Sequence, residues 1–209
     1  MKRAIITVAE LPAEGELLVP YDAILTPLAA DEAARRGLTL REVPEKEARR
    51  PIPPEKLVAL AADHGGFLLK EQLKPLVERL GLACEDFGVH DEQPADYPDL
   101  ALLVAEAVAA GRATRGIIVD GAGIGSAIVA NKVPGVRAAL CYDKASARNS
   151  REHNNANVLT LGGRLLSTEV ALEVAATWLA TPYAGGRHEK RVAKIAEIER
   201  RYSLKEPRP

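Results

Sequence analysis

The chain has 209 residues, with 28 Lys+Arg against 29 Asp+Glu, a formal net charge of -1. It is 47% hydrophobic and 27% charged, and its near-neutral charge with only 4% aromatic residues removes the electrostatic and stacking grounds for a nucleic-acid or anionic-membrane partner. No apolar run approaches the roughly 20 residues that span a bilayer, and the apolar stretch after Met1 is too short for a signal peptide.

Residues 1–43 read as a small strand–helix–strand extension. A strand over 22–26 leads to Thr26 as a helix N-cap with Pro27 at the first helical position. The helix then covers 28–36, Gly37 stops it, and a second strand covers 38–43. Such a unit holds a poor core by itself. Residues 44–55 are charged and carry four prolines, the composition of a semi-rigid linker.

Residues 56–209 form the main domain. Leu57 to Ala62 is a continuous apolar run, as expected for a strand buried on both faces. The helix over 67–80 places Leu69, Leu73, Leu76, Val77 and Leu80 on one side. Further strand and helix pairs follow at 82–87 with 99–110, 116–120 with 126–132, 136–141 with 144–153, and 157–161 with 168–180. A polar helix over 187–202 closes the pattern. Five such pairs predict an α/β fold, a Rossmann-like three-layer sandwich on a five-stranded, mainly parallel sheet.

In that architecture ligands sit beyond the carboxyl ends of the strands. Asp63-His64 follows the first strand, Asp120 and the loop Gly121-Ala122-Gly123-Ile124-Gly125 the third, Tyr142-Asp143 the fourth, and Gly162-Gly163-Arg164 the fifth. The glycine loop enters a helix, so its amides can converge on an anion. It lacks the Lys-Ser/Thr of a nucleotide P-loop. It nearly fits a dinucleotide fingerprint, but its last glycine falls one place early and it follows the third strand. A plain tight turn fits the string as well.

His153 lies in the polar run Arg151-Glu152-His153-Asn154-Asn155, where an imidazole can pass protons at neutral pH. Arg187 and Arg191, four apart, share a helix face and suit a phosphate dianion. No histidine pair has metal-site spacing, and Cys84 and Cys141 form neither a metal spacing nor a disulfide framework, so a reducing cytoplasm is expected. An anion cradle, a proton-shuttling histidine, acidic groups and a phosphate clamp are what aldose–ketose interconversion through an enediolate requires, without metal or redox cofactor.

These strings resemble the ribose-5-phosphate isomerase B / galactose-6-phosphate isomerase family. The resemblance rests on Ala62-Asp63-His64-Gly65-Gly66-Phe67, Asp96-Tyr97-Pro98-Asp99, Gly121 to Gly125 with Ala130-Asn131-Lys132, Ser146-Ala147-Arg148, Arg151 to Leu159, and Gly185-Gly186-Arg187-His188. It implies a homodimer with active sites shared between subunits, and leaves open whether dimers pair into tetramers. It implies that Asp63 and His64 hold hydroxyls and phosphate, and that Tyr97 lines the pocket. His153 would open the sugar ring with Asn154 beside it, Gly121 to Gly125 would form the anion hole, and Arg187 and Arg191 would bind phosphate. The most plausible substrate pair is ribose 5-phosphate and ribulose 5-phosphate.

Many members of that family have cysteine as the proton-moving base at the position of Asp120. Asp120 is the loop's only carboxylate and is therefore expected to move the proton. The alternatives are a catalytically altered sugar-phosphate-binding or assembly protein and, third, a dinucleotide-dependent oxidoreductase. Ile24 to Ala33 also resembles a short motif of bacterial-microcompartment-associated proteins, which implies a microcompartment partner for the extension.

Overall fold

The computed structural model describes residues 5–6, 11, 15–21, 23–43 and 56–203. The chain divides into two compact units, residues 1–51 and 52–209. The linker expected over 44–55 lies outside the described residues.

The first unit is built on two short parallel ladders, where the sequence pattern predicts only a strand, a helix and a strand. β1 (Ile5–Ile6) pairs with β3 (Ile24–Leu25), and β2 (Glu16–Pro20) pairs with β4 (Thr39–Val43). Between β3 and β4 runs α1 (Pro27–Arg35), and the hydroxyl of Thr26 accepts from the Ala29 amide at 3.3 Å, the cap expected from the sequence. Ile6, Leu11, Leu17, Val19, Ala29 and Ala33 form its core. β2 hides in the sequence because only Leu17 and Val19 alternate inward, too few positions for a periodicity.

The second unit is a five-stranded, wholly parallel sheet with helices on both faces. Its strands are β5 (Leu57–Ala62), β6 (Ala83–Asp86), β7 (Arg115–Asp120), β8 (Ala138–Leu140) and β9 (Val158–Gly162). The spatial order is β6-β5-β7-β9-β8. The crossover helices are α2 (Phe67–Arg79), α3 (Tyr97–Ala109), α4 (Ile124–Ala130), α5 (Lys144–Asn154) and α6 (Thr168–Ala180). A 3₁₀ turn over Gly186–His188 then leads into α7 (Glu189–Ser203).

Two buried clusters, one on each face, explain the unbroken apolar strands. One gathers Val58, Leu60, Ile117, Leu159 and Leu161 under α2 and α6, around Leu73, Val77 and Trp178. The other sets Ala59, Ala61 and Ile118 against Val104, Ala105 and Val108 of α3. Successive strand residues thus feed opposite cores, and neither face of the central strands meets water.

Two boundaries bear on function. The expected helix start at Ser126 moves back, so that Ile124 and Gly125 already belong to the first turn of α4. Arg187 falls in the 3₁₀ turn and Arg191 in α7, which continues that turn directly from Glu189. Gly185 and Gly186 have φ of 63° and 55°, left-handed values that turn the chain as it enters these elements.

Candidate active site

The register of the sheet places the first group. Ala62 of β5 is opposite Val119 of β7. One step beyond, Asp63 therefore comes beside Asp120, which itself pairs with Gly162 of β9. Neighbouring residues in parallel register project to the same side, so two carboxyl groups lie next to each other at the sheet's carboxyl edge. Both residues are buried, with 8% and 4% of their surface exposed.

Their surroundings differ. The carboxylate of Asp120 accepts four hydrogen bonds from its own loop. Oδ1 takes the amides of Ala122, at 2.7 Å, and of Gly123; Oδ2 takes the Ser126 amide at 2.9 Å and the Ser126 hydroxyl at 2.5 Å. It closes the glycine loop and caps α4. Asp63 Oδ1 accepts from the Gly66 amide at 3.0 Å. Burial pushes the Asp63 carboxyl above the ordinary carboxylate range; the Gly66 amide and the His64 charge oppose the shift, and the charge of Asp120 adds to it.

Close backbone approach explains the glycines. A Cβ on Gly66 would lie 2.4 Å from the Val119 carbonyl oxygen, and one on Gly162 would lie 2.7 Å from that of Ala122. Gly123 has φ 79°, and a Cβ there would meet the Leu161 carbonyl carbon at 2.8 Å. A Cβ on Gly125 would lie 2.5 Å from the ring of Tyr97, so the phenol lies directly against the loop. His64 Nδ1 accepts from the Ala95 amide at 3.4 Å. Among the described residues the amides of Gly121, Ile124 and Gly125 have no acceptor, and they remain available to an anion.

Arg164 joins this group, a residue to which the family resemblance gives no role. Its amide donates to the Gly121 carbonyl at 3.0 Å, and its side chain runs past Gly121 and Gly65, with Nε 3.2 Å from where a Gly65 Cβ would be. Its signal was available: a cation one residue beyond a glycine pair at a strand's carboxyl end.

The second group lies at the other edge of the sheet. α5 starts beyond the carboxyl end of β8 and runs back against the strands for 11 residues, roughly 16 Å at helical rise. It delivers His153 and Asn154 to the amino ends, where the Asn157 amide meets the Arg137 carbonyl at 3.1 Å, next to the starts of β9 and β8. The Ala184 amide donates to Glu152 O at 3.1 Å, which brings the 3₁₀ turn alongside. The rings of His153 and His188 stack with centroids 4.2 Å apart and planes 9° from parallel. Asn149 Nδ2 is 2.9 Å from His153 Nδ1, and Arg187 Nε donates to His188 Nε2 at 3.3 Å. Burial holds the His188 pKa below its usual value, and His153, Arg187 and Arg191 press it the same way.

Asp63, His64, Tyr97, Asp120, Gly121 to Gly125 and Arg164 therefore meet at one pole of the sheet. His153, Asn154, Arg187 and Arg191 meet at the other, with His188. Among the described residues no three His, Cys, Asp or Glu side chains are grouped to hold a metal, and no helix is long and apolar enough to cross a membrane.

The model of the family described as Ribose/Galactose Isomerase matches residues 58–195. The chain belongs to that family. It is 44% identical to ribose-5-phosphate isomerase B of Escherichia coli (strain K12) over 147 residues, 70% of this chain and 98% of that protein. It is 40% identical to D-erythrulose-4-phosphate isomerase of Pectobacterium atrosepticum over 144 residues, 68% of this chain and 94% of that one. The solved structure of Clostridium thermocellum ribose-5-phosphate isomerase B superposes with a TM-score of 0.68 at 47% identity, covering 70% of this chain and 99% of that one. As a member of the ribose/galactose isomerase family, the chain is a sugar-phosphate isomerase of the aldose–ketose class. The matched span lies within the second unit; residues 1–51 stand outside it.

Proposed function

We propose that the protein interconverts ribose 5-phosphate and ribulose 5-phosphate through an enediolate, in a homodimer whose two active sites each combine the carboxyl-edge pole of one subunit with the amino-edge pole of the other. The observation that carries the shared site is the separation of the two poles within one chain. One pole offers amide donors and carboxyl groups; the other offers His153 and two guanidinium groups. A sugar phosphate needs both, and α5 holds them a full helix length apart.

The surface near the second pole suits a second copy. α7 has no buried residue and exposes Ile195 and Ile198. With Val136, Ala138 and Asn154 they line a cavity of about 670 Å³, which a second copy would cover. In the dimer His153 opens the furanose ring by exchanging a proton with the ring oxygen. Arg187 and Arg191 clamp the phosphate. The amides of Gly121, Ile124 and Gly125 take the charge that develops on the enediolate oxygen. The ribose assignment is supported by the likeness to ribose-5-phosphate isomerase B along nearly that protein's whole length; the tetrose alternative is favoured by the likeness to D-erythrulose-4-phosphate isomerase.

Proton NMR in deuterium oxide with tetrose, pentose and hexose phosphates tests the reaction and its substrate together. Deuterium entering C1 or C2 of ribose 5-phosphate alone is expected; exchange confined to a tetrose phosphate would reassign the substrate, and no exchange would remove the reading. Mixing His64→Ala with His153→Ala tests the composite site. Two inactive variants are expected to recover about a quarter of wild-type turnover on subunit exchange, since half the dimers are mixed and carry one intact site. No recovery from a mixture shown to exchange subunits would place both poles in one chain's site.

A further inference from the structure

Asp120 stands where a proton-moving base is expected, yet its environment is that of a fixed structural anion. Four donors from Ala122, Gly123 and Ser126 engage both of its oxygens. To accept a proton from carbon it must surrender at least one of those bonds and release the loop that shapes the anion hole. Its neighbour in the same row is in the opposite condition. Asp63 is tied to the turn that follows it by the backbone amides of Gly66 and, more weakly, Gly65, with no side-chain donor on it among the described residues, so its carboxylate keeps acceptor capacity. It lies at the end of the strand adjoining the glycine loop.

Resting on the aldose–ketose reading above, we infer that Asp63, not Asp120, is the catalytic base that carries the proton between C1 and C2, and that Asp120 is a positioning residue that fixes the loop and tunes its neighbour electrostatically. The charged groups facing Asp63 are few. They are His64 in its own turn, Asp120 on β7, and Arg164 from the turn after β9, whose Nε passes beside Gly65. Burial and the fixed negative charge of Asp120 both raise the Asp63 carboxyl, which makes its carboxylate a stronger base than a solvated aspartate.

The step balances without any co-reactant. In the open-chain aldose the carboxylate of Asp63 takes the proton from C2. The C2–H electron pair becomes the C1=C2 bond, and the carbonyl pair moves onto O1, where the amides of Gly121, Ile124 and Gly125 receive it. The O2 proton passes to O1, the C2=O bond forms, and the C1=C2 pair takes back at C1 the proton held by Asp63. The carboxylate is restored.

The test compares Asp63→Asn, Asp63→Glu and Asp120→Asn by solvent-deuterium exchange and by the pH profile of kcat/KM with ribose 5-phosphate. Asp63→Asn is expected to lose roughly 10³-fold in kcat with KM little changed, the scale for a lost general base, while Asp63→Glu restores part of the rate. Asp120→Asn is expected to retain measurable exchange and to move the acid limb of the profile to lower pH, because removing its charge makes Asp63 easier to ionise. Exchange retained within tenfold in Asp63→Asn, or an acid limb unmoved in Asp120→Asn, overturns the assignment. A wild type that exchanges no sugar phosphate would instead sink the function reading, and with it the catalytic role. Carbon-13 NMR titration of Asp63 needs no substrate: a midpoint above the ordinary carboxylate range that falls in Asp120→Asn is expected, and a midpoint at or below that range overturns the electrostatic tuning.

Discussion

The two edges of one sheet are built from opposite materials. At the carboxyl edge, two carboxyl groups and close-packed backbone form the centre, with His64, Tyr97 and Arg164 around them: Asp63 and Asp120 sit in adjacent strand positions, and glycines bring backbone against backbone at Gly66, Gly123 and Gly162. At the amino edge, side chains are long, cationic and aromatic: His153 on His188, Arg187 against His188, and Arg151 beneath them over Trp178. The first edge can receive developing negative charge and hold a proton; the second can bind a dianion and exchange a proton with a ring oxygen. In the proposed dimer, unlike edges of two copies meet, and each site draws on both inventories.

The carboxyl edge breaks most sharply where backbone meets backbone. Gly66→Ala sets a methyl 2.4 Å from a carbonyl oxygen that belongs to a central strand and cannot rotate away. We expect a loss of about 3 kcal/mol or more, read as a lower midpoint in urea, with turnover falling in the fraction that stays folded. At the amino edge the corresponding weak point is a side chain. Arg151 is 1% exposed, and among the described residues its hydrogen bonds go to uncharged oxygens. Its Nε donates to Thr181 O at 3.2 Å, and Nη1 donates to Ala156 O at 2.5 Å and Asn155 Oδ1 at 3.1 Å. Burial, with Arg115 and Arg137 nearby, lowers its pKa to about 10. Arg151→Met keeps the volume and strands those carbonyls, a cost of about 2–3 kcal/mol, and it should weaken the seat of His153.

Substrate affinity separates the edges more finely. Arg187→Ala is expected to raise KM for a sugar phosphate roughly 10–100-fold with kcat changed much less, the value of one charge-assisted bond to a phosphate. An equal fall in kcat would place Arg187 at the reacting carbons instead.

Much of this was legible in the sequence, for reasons the structure makes plain. The second unit's strands are buried on both faces, so each appears as an apolar run followed by a helix with one apolar side, and the order of elements survives intact. His64, His153 and the arginines stand out because polar residues interrupt that pattern at element ends, whereas Tyr97 enters only through the family resemblance. What the string could not convey was direction through space. Nothing in the spacing from Asp120 to His153 says that α5 carries the histidine to the far edge. Nor does an aspartate before a glycine loop declare that Ser126, six residues on, will hold its carboxylate; that follows from the left-handed turn at Gly123. The two-residue strand Ile5–Ile6 is invisible for a different reason: two residues have no period.

The smallest expected effect lies in the histidine stack and depends on sign. Arg187 Nε donates to His188 Nε2, so that nitrogen carries a lone pair and the neutral ring is the form the fold selects. Burial and the neighbouring His153, Arg187 and Arg191 place the folded pKa below the unfolded one. Between those two values the unfolded chain binds more protons than the folded one, so stability rises with pH there. The contribution is fully present above the unfolded value of about 6.5 and is lost as pH falls toward the folded value. Thermal unfolding of the native protein should therefore show a lower midpoint at acidic pH than at neutral pH. His188→Phe keeps a flat ring against His153 and removes the proton site, so the part of that slope due to His188 should vanish. The residual slope comes from other groups, among them Asp63, whose raised carboxyl acts in the opposite sense and favours the fold as pH falls. A variant whose midpoint falls with acid as steeply as wild type would show that the stack titrates freely and that the cationic edge exerts no pressure on it.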